Sequence, residues 1–340
     1  MLITLGSPPS DAETDAWHAV VVAAHVLDLP ASVPEPSRAE TAGRLRLPPV
    51  SGRNVHLAMT AEDGSYEGVA SLLLFADEAN RHTAVLESLV VRPDARRHGV
   101  GAALWGAIRD ELAAAGRTSV SAMLELGGAG QAFVDSLGFT NVLALGWYVQ
   151  RVRRAVAEIP ETALPDGLRF ADWQGVVPDR WAEAFAVAHD AVRDAPGGDM
   201  AERAPDWDVG RARAAARLIE DRGGVILTSA VLDTTDGDAV VAYTEAVLRD
   251  PADTRALQYD TVVVPAHRGR GLGRAVKRRL LGRLHELLPG VREISTTVAD
   301  DNTSMRAVNE ALGYRRERSA GIFRVKLQDL PVTAADVKDA

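Results

Sequence analysis

Two short stretches of this 340-residue chain have residue types and spacing suited to holding an anionic group. One is Arg96-Arg97-His98-Gly99-Val100-Gly101, which runs on into Ala102. The other is Arg268-Gly269-Arg270-Gly271-Leu272-Gly273, which runs on into Arg274. Glycines between a strand and a helix let the backbone approach a ligand closely. The free N–H groups at a helix start, aligned with the helix dipole, favour an anion such as pyrophosphate. A tight strand-to-helix turn without a ligand is the plain alternative for one such loop, and its recurrence at matching places argues for a shared ligand. Other phosphate loops do not fit. A dinucleotide fingerprint needs a third Gly or Ala, where this chain has Leu104 and Arg274. A Gly-Lys-Ser/Thr tripeptide is absent, which argues against a P-loop.

The strands and helices around these loops are themselves repeated. Pro93 and Pro265 lie 172 residues apart, and Arg96/Arg268, Gly99/Gly271 and Gly101/Gly273 keep that offset. Leu137-Gly138-Phe139 pairs with Leu312-Gly313-Tyr314 further on. A period of half the chain means domain duplication. Apolar runs at 54–60, 68–75 and 83–91 predict strands before the first loop. Leu104, Ile108 and Leu112 predict a helix over 101–115, and 118–126 reads as another strand. The second half predicts strands at 224–232, 239–248, 256–263 and 294–299, with helices at 273–288 and 303–312. Two prolines and a glycine in Ile159–Gly167 interrupt both periodicities. The expected organisation is therefore an N-terminal domain at 1–156, a linker at 157–167, a C-terminal domain at 168–328 and a polar tail at 329–340.

Arg-x-x-Gly-x-Gly, after a strand ending Val-x-Pro and before a helix, resembles the acyl-CoA pyrophosphate motif of the GNAT N-acetyltransferases. The later Leu-Gly-Phe/Tyr resembles that family's second mark. Gln258–Thr261, Asn302 and Val308–Tyr314 make the second half the closer match. Taken together, the chain is similar to tandem acetyltransferases of actinobacteria, some found with antibiotic pathways. The resemblance implies an α/β (α+β) fold with two like domains. Each would be a mixed, twisted sheet with splayed central strands and helices on both faces. It implies acetyl-CoA, or another acyl-CoA, as donor, with the pantetheine arm pairing to Leu89, Val90 and Val91 in one half and Val262 and Val263 in the other. Asn302 would join that site.

The chemistry implied is direct attack of an amine on the thioester. An alkylammonium, with a pKa near ~10, must first lose a proton, and a carboxylate can take it. Asp260, on the strand before the second loop, is the candidate base or ammonium anchor. Strand alternation places it with Val262 and opposite Tyr259 and Thr261. An Asp satisfied by local hydrogen bonds is the alternative. In the first half Ser88 aligns with Asp260, and its neighbour Glu87 is the candidate acid, aimed at the other face unless a bulge redirects it. The family's thiolate-protonating Tyr is replaced by Val134 and Asn309, and Asn309 offers an amide donor. Lys277, Arg278, Arg279 and Arg283, after Arg274, read mostly as a solvated helix face, with one or two in reach of CoA phosphates. His98 and His267 read as loop-shaping residues.

The bulk numbers bound the partners. A net charge of −9 argues against nucleic acid as the ligand and mildly favours a cationic acceptor. With 0 cysteines, disulfides and thiolate chemistry are excluded. No metal-ligand pattern such as His-x-x-x-His occurs, and no apolar stretch near the N-terminus is long enough for a bilayer. A cytoplasmic enzyme acting on a small-molecule amine is expected, as monomer or homodimer, with the C-terminal half favoured for the chemistry. An acyl-CoA sensor or a peptide N-acetyltransferase are the other readings. Native mass spectrometry of the purified protein should show acyl-CoA bound, and two halves that both refuse CoA would sink the reading.

Overall fold

The computed structural model describes residues 1–194, 198, 200, 202–203 and 206–330. Most of the expected tail, 331–340, lies outside the described residues. The first half runs β1 (Leu2–Thr4), α1 (Asp11–Asp28), α2 (Arg38–Arg46), β2 (Gly52–Thr60), β3 (Tyr66–Phe75), β4 (Thr83–Val91), α3 (Val100–Ala114), β5 (Ser119–Glu125), α4 (Ala129–Ser136) and β6 (Thr140–Arg151). A short helix, α5 (Val152–Glu158), leads into the second half. That half runs β7 (Leu168–Gln174), α6 (Asp179–His189), α7 (Val209–Asp221), β8 (Val225–Asp233), β9 (Ala239–Leu248), β10 (Arg255–Val263), α8 (Leu272–Leu287), β11 (Glu293–Ala299), α9 (Thr303–Ala311) and β12 (Arg315–Lys326). The expected strands and helices are all present, with ends moved by one or two residues. Both loop helices begin one residue earlier than expected, because Gly99 and Gly271 are themselves the N-caps.

Instead of two separate sheets there is one 12-stranded sheet, in the order β1-β2-β3-β4-β5-β12-β6-β11-β10-β9-β8-β7. The halves exchange their last strands. β12 lies antiparallel between β5 and β6, and β6 lies antiparallel against β11. The expected linker starts inside the last turn of α5, and that end of α5 is fastened to α8. There Arg278 donates to the carbonyls of Ile159 (2.5 Å) and Val156 (3.2 Å).

In each half helices cover both faces of the sheet. Leu86, Leu104, Ile108, Leu112 and Val120 form the core under α3, and Trp17, Val20, Ala58 and Val69 form the core under α1. Leu280, Leu281 and Leu284 of α8 bury against Ile294 and Ala256. Trp173, Trp181, Phe185 and Tyr243 form the layer under α6.

The seam between halves is held by charge as well as strand pairing. Arg255, whose side chain is 6% exposed, donates to Glu293 (2.6 Å), Glu317 (3.1 Å) and the Ser32 carbonyl (2.8 Å). Glu317 also takes Arg318, which donates to Glu125 of the first half (2.9 Å) and stacks over Trp147 of β6. Stranding one partner of such a buried pair typically costs about 3–5 kcal/mol. Arg255→Ala should therefore lower stability by about that amount in urea denaturation. Because the halves share strands, far-UV and tryptophan signals should lose structure in one common transition.

Candidate active site

The parallel pairs that flank the loops open early. β4 and β5 pair only at Thr83–Val85 with Ser119–Ser121, and β10 and β11 only at Arg255–Leu257 with Glu293–Ser295. β5 and β11 keep the exchanged strands on their other edge throughout, and beyond those points Leu89, Val90 and Val91, and likewise Val262 and Val263, are hydrogen-bonded to one neighbour only. Each free edge runs straight to a glycine loop. Gly99 and Gly271 adopt the left-handed conformation at φ 87° and 77°, and no side chain caps either helix. A Cβ at either glycine would meet nothing within 4 Å, so the space above the helix start is open. An extended thiol arm on the strand edge and a pyrophosphate on the helix start fit this cleft in both halves.

The loop arginines brace the turn. Arg96 Nε donates to the Val91 carbonyl and Arg268 Nε to the Val263 carbonyl, each at 3.1 Å. The remaining Arg96 nitrogens hold Asp28 of α1 at 2.8 and 2.6 Å. Arg97 takes φ 66°, the place Gly269 fills at φ 75° in the other half. Arg97, His98, Arg270, Arg274 and Ala102 are exposed around the openings, while Val100 and Leu272 are buried anchors of their helices. His267 pairs with Asp233 at 3.5 Å. Asn302 caps α9, its side-chain oxygen accepting from Met305 N–H at 3.0 Å; the aligned end of α4 has no side-chain cap.

The cationic face expected on the second loop helix is overturned beyond Arg274. Lys277 and Arg278 are buried, and Arg279 and Arg283 bind Asp172 at 2.7 and 3.7 Å. Arg278 ties α8 to the connector, Arg279 and Arg283, which stay partly exposed, tie it to β7, and Lys277 lies over the Tyr314 ring. Burial lowers the Lys277 ammonium to about 7.

Both strands before the loops carry a bulge. In β4 the register shifts between the Ser71–Ser88 and Leu72–Leu86 pairs, so Glu87 is the extra residue. In β10 it shifts between Gln258–Ala246 and Thr261–Thr244, leaving Tyr259 and Asp260 opposite Glu245. The bulge re-aims Glu87, whose carboxylate accepts from Asn54 Nδ2 and Ser71 Oγ, both at 2.9 Å. That oxygen is committed to structure. Asp260 lies on the Val262 side, as alternation requires, close to Tyr243 and Glu245. Tyr259 departs from alternation: with the bulge it sits beside Arg249, which reaches Glu40 of α2 at 2.8 Å.

Burial pushes the Asp260 carboxyl above the ordinary carboxylate range. Glu245, at 9% exposure, is pushed to about 8 by burial and by Asp260. Each carboxyl group disfavours the charged form of the other, on top of the cost of burial. Behind them His189 meets the Tyr243 hydroxyl at 2.7 Å and stacks on Trp207; burial lowers His189 to about 4. Glu245, Tyr243 and His189 were not among the sequence candidates. One signal for Glu245 was available, a single acid inside the apolar run 239–248. Asn309 is 0% exposed, and both its amide oxygen and nitrogen lack a partner among the described residues.

Set beside known proteins, the Acetyltransferase (GNAT) family matches residues 24–139 and 187–314. The chain belongs to the GNAT acetyltransferases. It is 30% identical over 273 residues to a mycothiol acetyltransferase of Mycolicibacterium gilvum, covering 77% of this chain and 80% of that protein. To the mycothiol acetyltransferase of Catenulispora acidiphila it is 29% identical over 255 residues, covering 73% and 74%. A tandem GNAT protein from the clavulanic acid biosynthesis pathway superposes with TM-score 0.81 at 24% identity, covering 98% of this chain and 100% of that one. A GNAT structure from Sphaerobacter thermophilus gives TM-score 0.66 at 16% identity, covering 98% and 97%. The tandem GNAT fold and N-acetyltransferase class follow. Among the described residues no helix is long and apolar enough to cross a membrane.

A left-handed L-residue costs roughly 1–2 kcal/mol, and about 1.4 kcal/mol is tenfold in affinity. Gly271→Ala should weaken acetyl-CoA binding in the second half about tenfold by calorimetric titration. Gly106→Ala, on α3 with equally open space but ordinary helical backbone, is the control. Unchanged affinity for the Gly271 variant would remove the loop from the binding site.

Proposed function

We propose that this protein transfers the acetyl group of acetyl-CoA to a small-molecule amine, and that the C-terminal half does the chemistry. The halves, 1–156 and 168–328, would each accept an acyl-CoA through the loops at 96–102 and 268–274. The observation that carries the assignment is the carboxylate pair Asp260/Glu245 beside the second glycine loop. The first half has Ser88 and Ser71 at those places, and its nearby Glu87 is already hydrogen-bonded.

The acidic pair suits a protonated amine at two stages. It attracts the ammonium form, and a carboxylate whose pKa is raised accepts its proton at a smaller free-energy cost. The amine nitrogen then bonds to the acyl carbon as the carbon–sulfur bond breaks; the electron pair leaves on CoA sulfur, and the second proton that nitrogen sheds is taken up by that sulfur, directly or through water, to release CoA as the thiol. The Asn309 amide, buried and unpartnered at the family's thiolate-donor position, is the group we assign to receive that sulfur by hydrogen bond. The mycothiol acetyltransferases support a small polar metabolite as acceptor in preference to a protein chain.

Asp260→Asn should lower kcat by about 10²–10⁴-fold, the usual range for a general base. Thiol release from acetyl-CoA with glucosamine, L-cysteine methyl ester and putrescine as acceptors would measure it. The acidic limb of the wild-type kcat/KM profile should lie above the normal carboxylate range, because Asp260 is raised and Glu245 stands near 8. For the same reason stability should fall as pH rises from the ordinary carboxylate range through 8, since the folded state binds protons that the unfolded state has already lost. Glu245→Gln should flatten that fall. An Asp260→Asn enzyme with the wild-type rate would end the assignment.

A further inference from the structure

The two halves superpose by register, yet the layer between β9/β10 and α8 differs in kind from its first-half equivalent. In the second half Tyr314 donates its hydroxyl to Gln258 Oε1 at 2.7 Å. Gln258 Nε2 donates to Thr244 Oγ1 at 2.9 Å. Thr244 Oγ1 meets Thr261 Oγ1 at 2.8 Å. Lys277 lies over the Tyr314 ring, 4.8 Å from its centre. Gln258, Thr244, Tyr314 and Lys277 are all buried.

The same strand and helix positions in the first half hold Leu86, Ala70, Leu89, Phe139 and Trp105, by the pairings 72–86 against 246–258 and 70–89 against 244–261 and by the loop offsets. There Trp105 and Phe139 simply pack edge to face at 5.4 Å. An apolar filling of this layer is thus compatible with the fold. Burying polar groups there costs free energy that hydrogen bonds only offset, so the polar set calls for a reason beyond folding.

Its placement supplies one. Gln258 is the last residue paired before the bulge and Thr261 the first paired after it. Both hydrogen-bond to the same Thr244 oxygen. Tyr259 and Asp260 are the two residues in between. We propose that Thr244 is a positioning residue that staples the two sides of the bulge, with Tyr314 and Lys277 backing Gln258, so that the Asp260 carboxylate is held against Glu245 and aimed at the acceptor. The bulge backbone is soft because its residues lack regular ladder partners. Fixing both flanks to one hydroxyl removes that freedom on the face away from the acceptor. The staple exists only in the half to which the chemistry is assigned, and it rests on the reading of Asp260 as the base.

The test is kinetic. The groups facing Asp260 are Glu245 and Tyr243 of β9, with His189 of α6 behind Tyr243 and Tyr259 and Arg249 alongside. Thr244→Val keeps the shape and removes the staple. With acetyl-CoA and the amine among glucosamine, L-cysteine methyl ester and putrescine that turns over fastest, its kcat should fall roughly tenfold while KM for acetyl-CoA stays within about twofold. A loosened bulge lets water reach Asp260, so the acidic limb of its pH profile should move to lower pH. Thr244→Ser, which restores the hydroxyl, should recover both rate and profile. Tyr314→Phe copies the first half's Phe139, so it should fold even if the valine variant does not, and should give a smaller change in the same direction. If folded Thr244→Val and Tyr314→Phe retain wild-type kcat and pH profile while Asp260→Asn is dead, the staple is overturned and the base assignment stands. If Asp260→Asn is fully active, the base assignment falls and this proposal with it.

Discussion

The architecture depends on one exchange. β5 and β11 each end the run of strands that their own half supplies, and an open edge in the middle of a protein must find a partner for its N–H and C=O groups. Here β5 takes β12 and β11 takes β6 on the edge away from the splay, so each half closes the other's far edge with its own last strand. The Arg255 cluster sits at this junction and joins Ser32, Glu125, Trp147, Glu293, Glu317 and Arg318 from both halves. A buried guanidinium is tolerated only where its donors are met, and these acceptors coincide only when both exchanged strands are in register. The charge cluster therefore reads as a register lock as much as a source of stability.

Because β5 and β11 are held from the far side, the near side stays open. That opening is what the glycine loops serve: a free strand edge running to an uncapped helix start with left-handed glycines. The two openings are alike in backbone, and their surroundings are not. One is lined by serines and an already bonded glutamate, the other by two carboxylates in mutual repulsion. Under one lies a layer of Trp, Phe and Leu, under the other a chain of hydroxyls and amides. Duplication preserved the cradle while the side chains diverged, which is the expected pattern when binding needs backbone geometry and catalysis needs particular side chains.

Cross-half contacts extend beyond the strands. Glu202, from the second half, accepts from Ser121 and Thr83 at the β4–β5 junction, and Asn80 exchanges two hydrogen bonds with the Arg203 backbone. Ser32 of the first half does the equivalent at the β10–β11 junction through Arg255 and Glu317. Each half thus braces the base of the other's splay, with a neutral pair of strand residues on one side and a buried ion cluster on the other.

The repeated loops, the strand and helix order and the left-handed demand at Gly99 and Gly271 were legible in the sequence, because each is a local property of backbone and spacing. The position of Asp260 on the Val262 side was legible too, as strand alternation is local. Only the tertiary structure decided the rest. No periodicity announces that β6 and β12 trade places, since both sheets would satisfy the same apolar pattern. Tyr259 and Glu87 left their expected faces because a bulge is defined by the partner strand. Lys277 and Arg278 read as surface charge and proved buried, because their hydrogen-bond and ring partners come from residues far along the chain. Glu245 gained its raised pKa from a neighbour on another strand. Charge, burial and proton affinity are properties of what surrounds a side chain, and that is settled only when distant segments meet.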